Sequence, residues 1–94
     1  MPGIVHIVLA QATRLLAEGA ITRDTFDRQI RRLSQEELTP RKLTLLVREL
    51  PAGRTRYIIK EQKSGAVCDL LNFDENGILE PDSASLLEVE AGLR

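Results

Sequence analysis

The apolar residues near the start of the chain recur every three or four positions, which predicts an amphipathic helix over residues 4–18. The positions that carry this pattern are Val5, Val8, Leu9, Ala12, Leu15 and Leu16. β-Branched residues are dense at residues 4–8, so this first stretch also permits a strand. Gly19 predicts the end of the helix. Thr22 predicts the N-cap of a second helix over residues 23–33, whose buried stripe is Phe26, Ile30 and Leu33.

A third helix is predicted where Thr39 precedes Pro40, because an N-cap residue followed by proline at the first helical position is a typical helix start. This helix covers residues 40–50 and ends before the Pro51-Ala52-Gly53 segment. Its inward face consists of four apolar residues: Leu43, Leu46, Val47 and Leu50.

A β-hairpin is predicted after the third helix. Strand-forming residues fill residues 54–62 and residues 66–73, and Ser64-Gly65 supplies a two-residue turn between them. This turn places Lys60 opposite Asp69 and Ile59 opposite Leu70, so that a charge pair and an apolar pair share one register.

Residues 72–77 contain oxygen-bearing side chains at the spacing of the first half of an EF-hand calcium loop. Ser83 stands where that loop requires its bidentate glutamate, so an Asn-Gly turn at Asn76-Gly77 is favoured. Ile78 and Leu79 either add a short strand or pack against the body of the domain.

The predicted fold class is therefore α+β, with three helices followed by a β-hairpin in one domain over residues 1–79. Residues 80–94 form an acidic tail, in which residues 83–93 also allow a short helix. The element order over residues 4–73 resembles the winged-helix architecture. This resemblance implies that the third helix enters the major groove of DNA and that the hairpin approaches the phosphate backbone.

A second resemblance covers residues 15–33. This segment is similar to the short helical hairpin called SHOCT. The shared features are a leucine-rich helix end, Gly19, the Ile21-Thr22 cap, Phe26 and the late apolar residues of the second helix. Thr25 stands where that family usually has an acidic residue, and the hairpin lies near the start of this chain. The resemblance implies contact with another protein.

Charge divides the chain into two unequal parts. Residues 1–63 carry 12 basic and 7 acidic side chains, a net charge of +5, whereas residues 64–94 carry 1 basic and 7 acidic side chains, a net charge of −6. Such asymmetry indicates binding to a charged partner. The first hypothesis is a DNA-binding transcriptional regulator of winged-helix type. The residues predicted to contact DNA are Arg41, Lys42, Thr44, Arg48, Arg54, Arg56, Lys60 and Lys63.

The alternative is a protein-interaction module, an adaptor, antitoxin-like partner or inhibitor, that pairs its basic body or acidic tail with a partner of opposite charge. The first helix is apolar on more than one side, which predicts a homodimer in either case. The residues predicted at the dimer interface are Ile4, Ile7 and Val8.

Enzymatic chemistry is not expected. His6 is the only histidine and Cys68 the only cysteine, and neither has a neighbouring base or acid at a useful spacing. Two such ligands do not make a structural zinc site, and the six isolated glycines do not form a phosphate loop, so no cofactor or metal is predicted. No apolar run approaches the length of a membrane span, and no secretory signal is evident, so a cytoplasmic location is expected.

Overall fold

The computed structural model describes residues 3–81, and two helices open the fold: α1, Ile4–Ala17, and α2, Arg23–Leu33. Gly19 ends the first helix with a φ of +75°, a conformation that costs little only for glycine. The Thr22 hydroxyl caps α2 by accepting a 3.2 Å hydrogen bond from the Thr25 amide. The first two predicted helices are therefore confirmed, and residues 4–8 are helical rather than extended.

A three-stranded antiparallel sheet follows the helices. Its strands are β1, Leu43–Glu49; β2, Thr55–Glu61; and β3, Val67–Phe73, in the spatial order β1-β2-β3. The fold is thus α+β, as the sequence predicts. Within residues 3–81, however, the order is two helices and a sheet rather than three helices and a hairpin.

The predicted helix over residues 40–50 is wrong. After a five-residue π-helical turn, Ser34–Leu38, the Thr39-Pro40 signal starts only one 3₁₀ turn, Thr39–Arg41. Lys42 then takes a left-handed conformation with a φ of +61°, which ends the helix. Residues 43–49 gain a full set of antiparallel partners on β2, and this pairing outweighs their moderate helix propensity.

The hairpin register also differs from the prediction. The loop between β2 and β3 spans residues 62–66 and is closed by a 2.9 Å bond from the Glu61 amide to the Ala66 carbonyl. Ile58 is therefore opposite Leu70, and Ile59 is opposite Asp69. A bulge leaves Cys68 without a partner position, so that Lys60 pairs with Val67.

The core lies between the two helices and one face of the sheet. Tyr57 and Phe73 meet edge to face there, with ring centroids 5.5 Å apart. The Thr13 hydroxyl donates to the Leu9 carbonyl at 2.6 Å and accepts from the Tyr57 hydroxyl at 2.5 Å. Burial raises the pKa of the Tyr57 phenol. The buried cluster comprises Val5, Leu9, Ala12, Phe26, Leu33, Leu38, Tyr57, Ile59, Leu71 and Phe73.

The predicted turn after β3 is confirmed. The Asp74 carboxylate accepts from the amides of Asn76, at 2.8 Å, and Ile78, at 3.0 Å, which defines an Asx turn. Leu79 then forms a single antiparallel bridge to Phe73, so the chain adds one short pairing at the edge of β3. Residues 82–94, which include most of the predicted tail and its short helix, lie outside the described residues.

Candidate functional site

A groove with a volume of about 470 Å³ lies between α1 and α2, and its α1 side is mostly apolar. The side of α1 that lines it presents residues 4, 8, 11 and 15, a four-three-four spacing typical of the contact seam of a two-helix coiled coil. Ile4 is 50% exposed and Leu15 is 37% exposed, although both are large apolar side chains. The groove therefore offers a helical seam that the described residues leave partly open to solvent.

Polar side chains of α2 and the π-helical turn form the opposite rim of this groove. Arg32 donates to Glu36 at 2.9 Å across one helical turn, so this part of the rim is nearly neutral. Gln11 is the one polar residue of the α1 seam, at a position where a polar side chain usually fixes the register of helix pairing. The arrangement suits an incoming helix that is apolar along one side.

The predicted dimer residues line two different cavities. Ile4 and Val8 both line the α1–α2 groove. Ile7, which is 44% exposed, instead lies beside Leu79 in a small apolar pocket at the edge of the sheet. The homodimer itself stays a prediction.

Half of the residues predicted to contact DNA share one face of the sheet, the far face, which points away from the helices. Thr44 pairs with Lys60, and Arg48 pairs with Arg56, so strand alternation turns all four to this face. Their grouping arises from strand pairing and not from a recognition helix. Arg48 and Arg56 are engaged in further interactions, and Arg56 Nε also donates to Asn72 Oδ1 at 2.9 Å.

The other four predicted DNA contacts lie elsewhere. Arg54 forms a bidentate pair with Glu80, with both N···O distances at 2.8 Å. This bond holds the pKa of the Glu80 carboxyl below its ordinary value and raises the pKa of Arg54. Arg41 lies 3.9 Å from Glu37, and Lys42 precedes β1. Lys63 lies in the loop between β2 and β3.

Sequence reasoning missed a polar contact between α1 and the sheet. His6 Nε2 lies 2.5 Å from the Asp69 carboxylate, which joins α1 to β3 across 63 residues. No local spacing signals this pair, because the two side chains meet only after the sheet has formed. Cys68 lines a cavity together with His6 and Asp69, and its thiol donates to the Ala66 carbonyl at 3.7 Å.

Within residues 3–81, no three His, Cys, Asp or Glu side chains come close enough together to hold a metal ion. The described helices also include none with the length and apolarity that a membrane crossing requires. Comparisons with protein-family models, with curated proteins and with solved structures gave no match to this chain. The winged-helix and SHOCT resemblances therefore stay predictions.

Proposed function

We propose that the protein is a non-enzymatic protein-interaction module that takes an amphipathic helix of a partner protein into the groove between α1 and α2. The single observation that carries this proposal is the seam of residues 4, 8, 11 and 15, whose spacing matches helix pairing and whose apolar ends are exposed. A partner helix would bring apolar side chains against Ile4, Val8 and Leu15 and a polar side chain against Gln11.

The expected affinity is modest. Full burial of a leucine or isoleucine side chain contributes about 1.5–3 kcal/mol. Ile4 and Leu15 are already partly covered, so that each has roughly half or less of this free energy left to give. The groove therefore supplies a few kcal/mol, and a partner of useful affinity must add contacts at the rim, where Arg32 and Glu36 are within reach.

DNA binding stays a prediction with a changed geometry. The predicted recognition helix is a strand, so bases would have to be read by the sheet or by loops rather than by a helix in the major groove. Thr44, Arg48, Arg56 and Lys60 are the residues that such a surface would use. Transcriptional regulation is a consequence of that hypothesis alone.

Photocrosslinking in cells tests the interaction module. The photoreactive amino acid p-benzoylphenylalanine replaces Gln11 inside the groove or, as a control, Gln62 at the far end of the sheet. The proposal predicts one crosslinked protein at position 11 and not at position 62, with the crosslink mapped to an amphipathic helix. Crosslinking to a second copy of this chain would assign the groove to the homodimer instead, and a lack of any crosslink would also refute the proposal.

A pair of matched variants completes the test. Ile4→Asp places a charge in the groove, whereas Ile78→Asp places the same charge at a similarly exposed isoleucine outside it. Both variants should stay within about 0.5 kcal/mol of the parent in urea unfolding, because both side chains are about half exposed. Only Ile4→Asp should abolish the crosslink. Retardation of a DNA duplex at 50 mM salt, lost at 200 mM, would instead support the DNA hypothesis.

A further inference from the structure

The sheet has two edge strands, β1 and β3, and the outer edge of β3 is protected. The Asp69 carboxylate accepts from the Leu70 amide at 2.9 Å. The Glu80 amide donates to the Asn72 carbonyl at 2.8 Å, so the chain after β3 covers part of the same edge. The bulge at Cys68 interrupts the strand as well. Bulges and covering segments are devices by which natural sheets keep an edge strand from pairing with another chain.

The other edge strand, β1, has none of these devices among the described residues. It covers seven residues, Leu43–Glu49, and pairs with β2 without a register shift. None of its side chains is buried, and Val47 is 39% exposed. Its charged residues, Arg48 and Glu49, occupy only the last two positions. The centre of this edge is therefore apolar and open, which is typical of a strand that pairs with a further strand.

The ladder between β1 and β2 determines which backbone groups of β1 face outward. At one end of this ladder, the Gln62 amide donates to the Lys42 carbonyl at 2.9 Å. At the other end, the Leu50 amide donates to the Arg54 carbonyl, also at 2.9 Å. Bonded positions alternate along an antiparallel pair, so the even-numbered residues of β1 bond to β2. The odd-numbered residues direct their N–H and C=O groups away from β2, where no other described strand pairs with them.

We propose that β1 pairs with β1 of a second copy of this chain, antiparallel about a two-fold axis at Leu46, so that the two sheets become one continuous sheet. In this register Leu45 lies opposite Val47 of the second copy, and both residues have outward-facing N–H and C=O groups. Each such pair exchanges two hydrogen bonds. Leu46 lies opposite its own copy, so the centre of the interface is apolar and the contact is self-complementary.

The charges at the two ends of β1 favour this arrangement. The basic Arg41-Lys42 segment precedes the strand, and the acidic Glu49 ends it. A two-fold axis at Leu46 brings Glu49 of one copy beside the Arg41-Lys42 segment of the other, and the symmetry repeats this contact. An axis at Leu45 would instead place Arg48 opposite Lys42, and like charges opposite each other are destabilising.

The dimer keeps the α1–α2 groove of each copy. None of the residues that line this groove belongs to β1. One dimer therefore presents two helix-binding grooves, and a partner with two suitable helices would gain from the raised effective concentration. The inference does not rest on the proposed function, because strand pairing and helix binding use different residues.

Disulfide crosslinking tests the register. Leu46→Cys and the control Thr44→Cys, on the same face of the same strand, are each combined with Cys68→Ser, which removes the one native thiol. The two copies of residue 46 would have Cα atoms about 4.5 Å apart, within the range of a disulfide. The two copies of residue 44 would lie about 14 Å apart along the strands, which is too far. Under mild oxidation, Leu46→Cys should therefore form a covalent dimer and Thr44→Cys should not.

Sedimentation of the full-length protein gives an independent measurement. The parent should form a dimer, and its dissociation constant should rise about tenfold or more in Val47→Pro, which removes one outward-facing N–H donor from each copy. The circular dichroism spectrum of Val47→Pro should stay unchanged, because the bonds to β2 are kept. If this variant does not fold, the crosslinking pair decides alone.

Three results would overturn the proposal. The first is a parent that stays monomeric up to about 1 mM, where even a weak dimer forms. The second is equal crosslinking of Leu46→Cys and Thr44→Cys, or no crosslinking of either. The third is a dimer that a folded Val47→Pro leaves intact, which would assign self-association to another surface.

Discussion

Gly77 brings the turn after β3 into direct contact with the backbone of α1. A Cβ atom at this position would lie 2.6 Å from the Arg14 Cα and 2.9 Å from the Thr13 carbonyl oxygen. These neighbours belong to a helix backbone, so no side-chain rotation can relieve the overlap. We therefore predict that Gly77→Ala separates the turn from α1 and destabilises the fold. Gly65→Ala is the matched control, since Gly65 has a nearly equal φ of +73° and no atom within 4 Å of its Cβ position.

Both variants bear the cost of a left-handed alanine, and only Gly77→Ala also bears the cost of overpacking. A left-handed conformation costs alanine about 1–2 kcal/mol, and the stiffer unfolded chain returns about 0.4–1 kcal/mol, so Gly65→Ala should cost about 0.5–1 kcal/mol. Overpacking at a closed site adds about 1–3 kcal/mol. Gly77→Ala should therefore cost about 1.5–4 kcal/mol in total, out of the roughly 5–14 kcal/mol expected for 94 residues.

Urea unfolding monitored by circular dichroism measures both costs. The midpoint of Gly77→Ala should lie well below that of Gly65→Ala, with unchanged slopes that show the same surface is exposed on unfolding. A difference of less than about 0.5 kcal/mol between the two variants would show that the turn does not press on α1. The reasoning about this contact would then fail.

Three further predictions concern single polar features. Thr13→Val should lower the free energy of unfolding by about 1–3 kcal/mol, because the Tyr57 hydroxyl loses its partner. Adding Tyr57→Phe should recover part of that loss. Strictly additive costs in a double-mutant cycle would contradict the hydrogen bond. Arg54 lowers the pKa of Glu80, so the ionised Glu80 carboxylate stabilises the folded protein. This stabilisation is present above about pH 4.3, the pKa of glutamate in the unfolded chain, and is lost as the pH falls through the lower pKa of the folded state. Glu80→Gln should therefore be less stable than the parent at pH 7 and should approach it toward pH 3 in urea unfolding. Lys42→Gly should raise the free energy of unfolding by about 0.5 kcal/mol, because it removes the cost of holding a lysine in the left-handed conformation. A lower midpoint temperature of thermal unfolding would refute this prediction.

Local signals predicted the parts of the fold that depend on neighbouring residues. The stop at Gly19 and the cap at Thr22 act within one turn of chain, and both occur as the sequence indicates. The Asn76-Gly77 turn is also local, and the Asp74 side chain completes it. These features form with few contributions from the rest of the protein.

The third helix could not be excluded from the sequence, because the competing structure depends on distant residues. The segment that forms β1 contains leucine, arginine and glutamate, which favour a helix when considered alone. Its strand conformation requires β2 as a partner, and β2 lies beyond the Pro51–Gly53 turn. The left-handed Lys42 carries no sequence signal either, since lysine rarely adopts that conformation.

The candidate sites also have parts that follow from local sequence and parts that depend on the complete fold. The exposed apolar side chains of α1 follow from helical spacing, which is local, but the α2 rim that turns them into a groove does not. Arg48, Arg56 and Lys60, which charge composition predicts as DNA contacts, lie on one face of the sheet, and the DNA contact itself stays a prediction. The predicted helix over residues 40–50, which carried four of the eight predicted contacts, was wrong. Strand pairing places two of the four, Thr44 and Arg48, on the shared face. The His6 pair with Asp69 required the complete fold.

The His6–Asp69 pairing also has a consequence for synthesis on the ribosome. The α1 helix is made before β3, and the two paired residues are 63 positions apart in the chain. At about 5–20 residues per second, synthesis of that interval takes roughly 3–13 s. A 14-residue helix is marginal by itself in water, so the α1 segment spends those seconds with its leucines and valines exposed. A nascent-chain chaperone would compete for this segment during that interval.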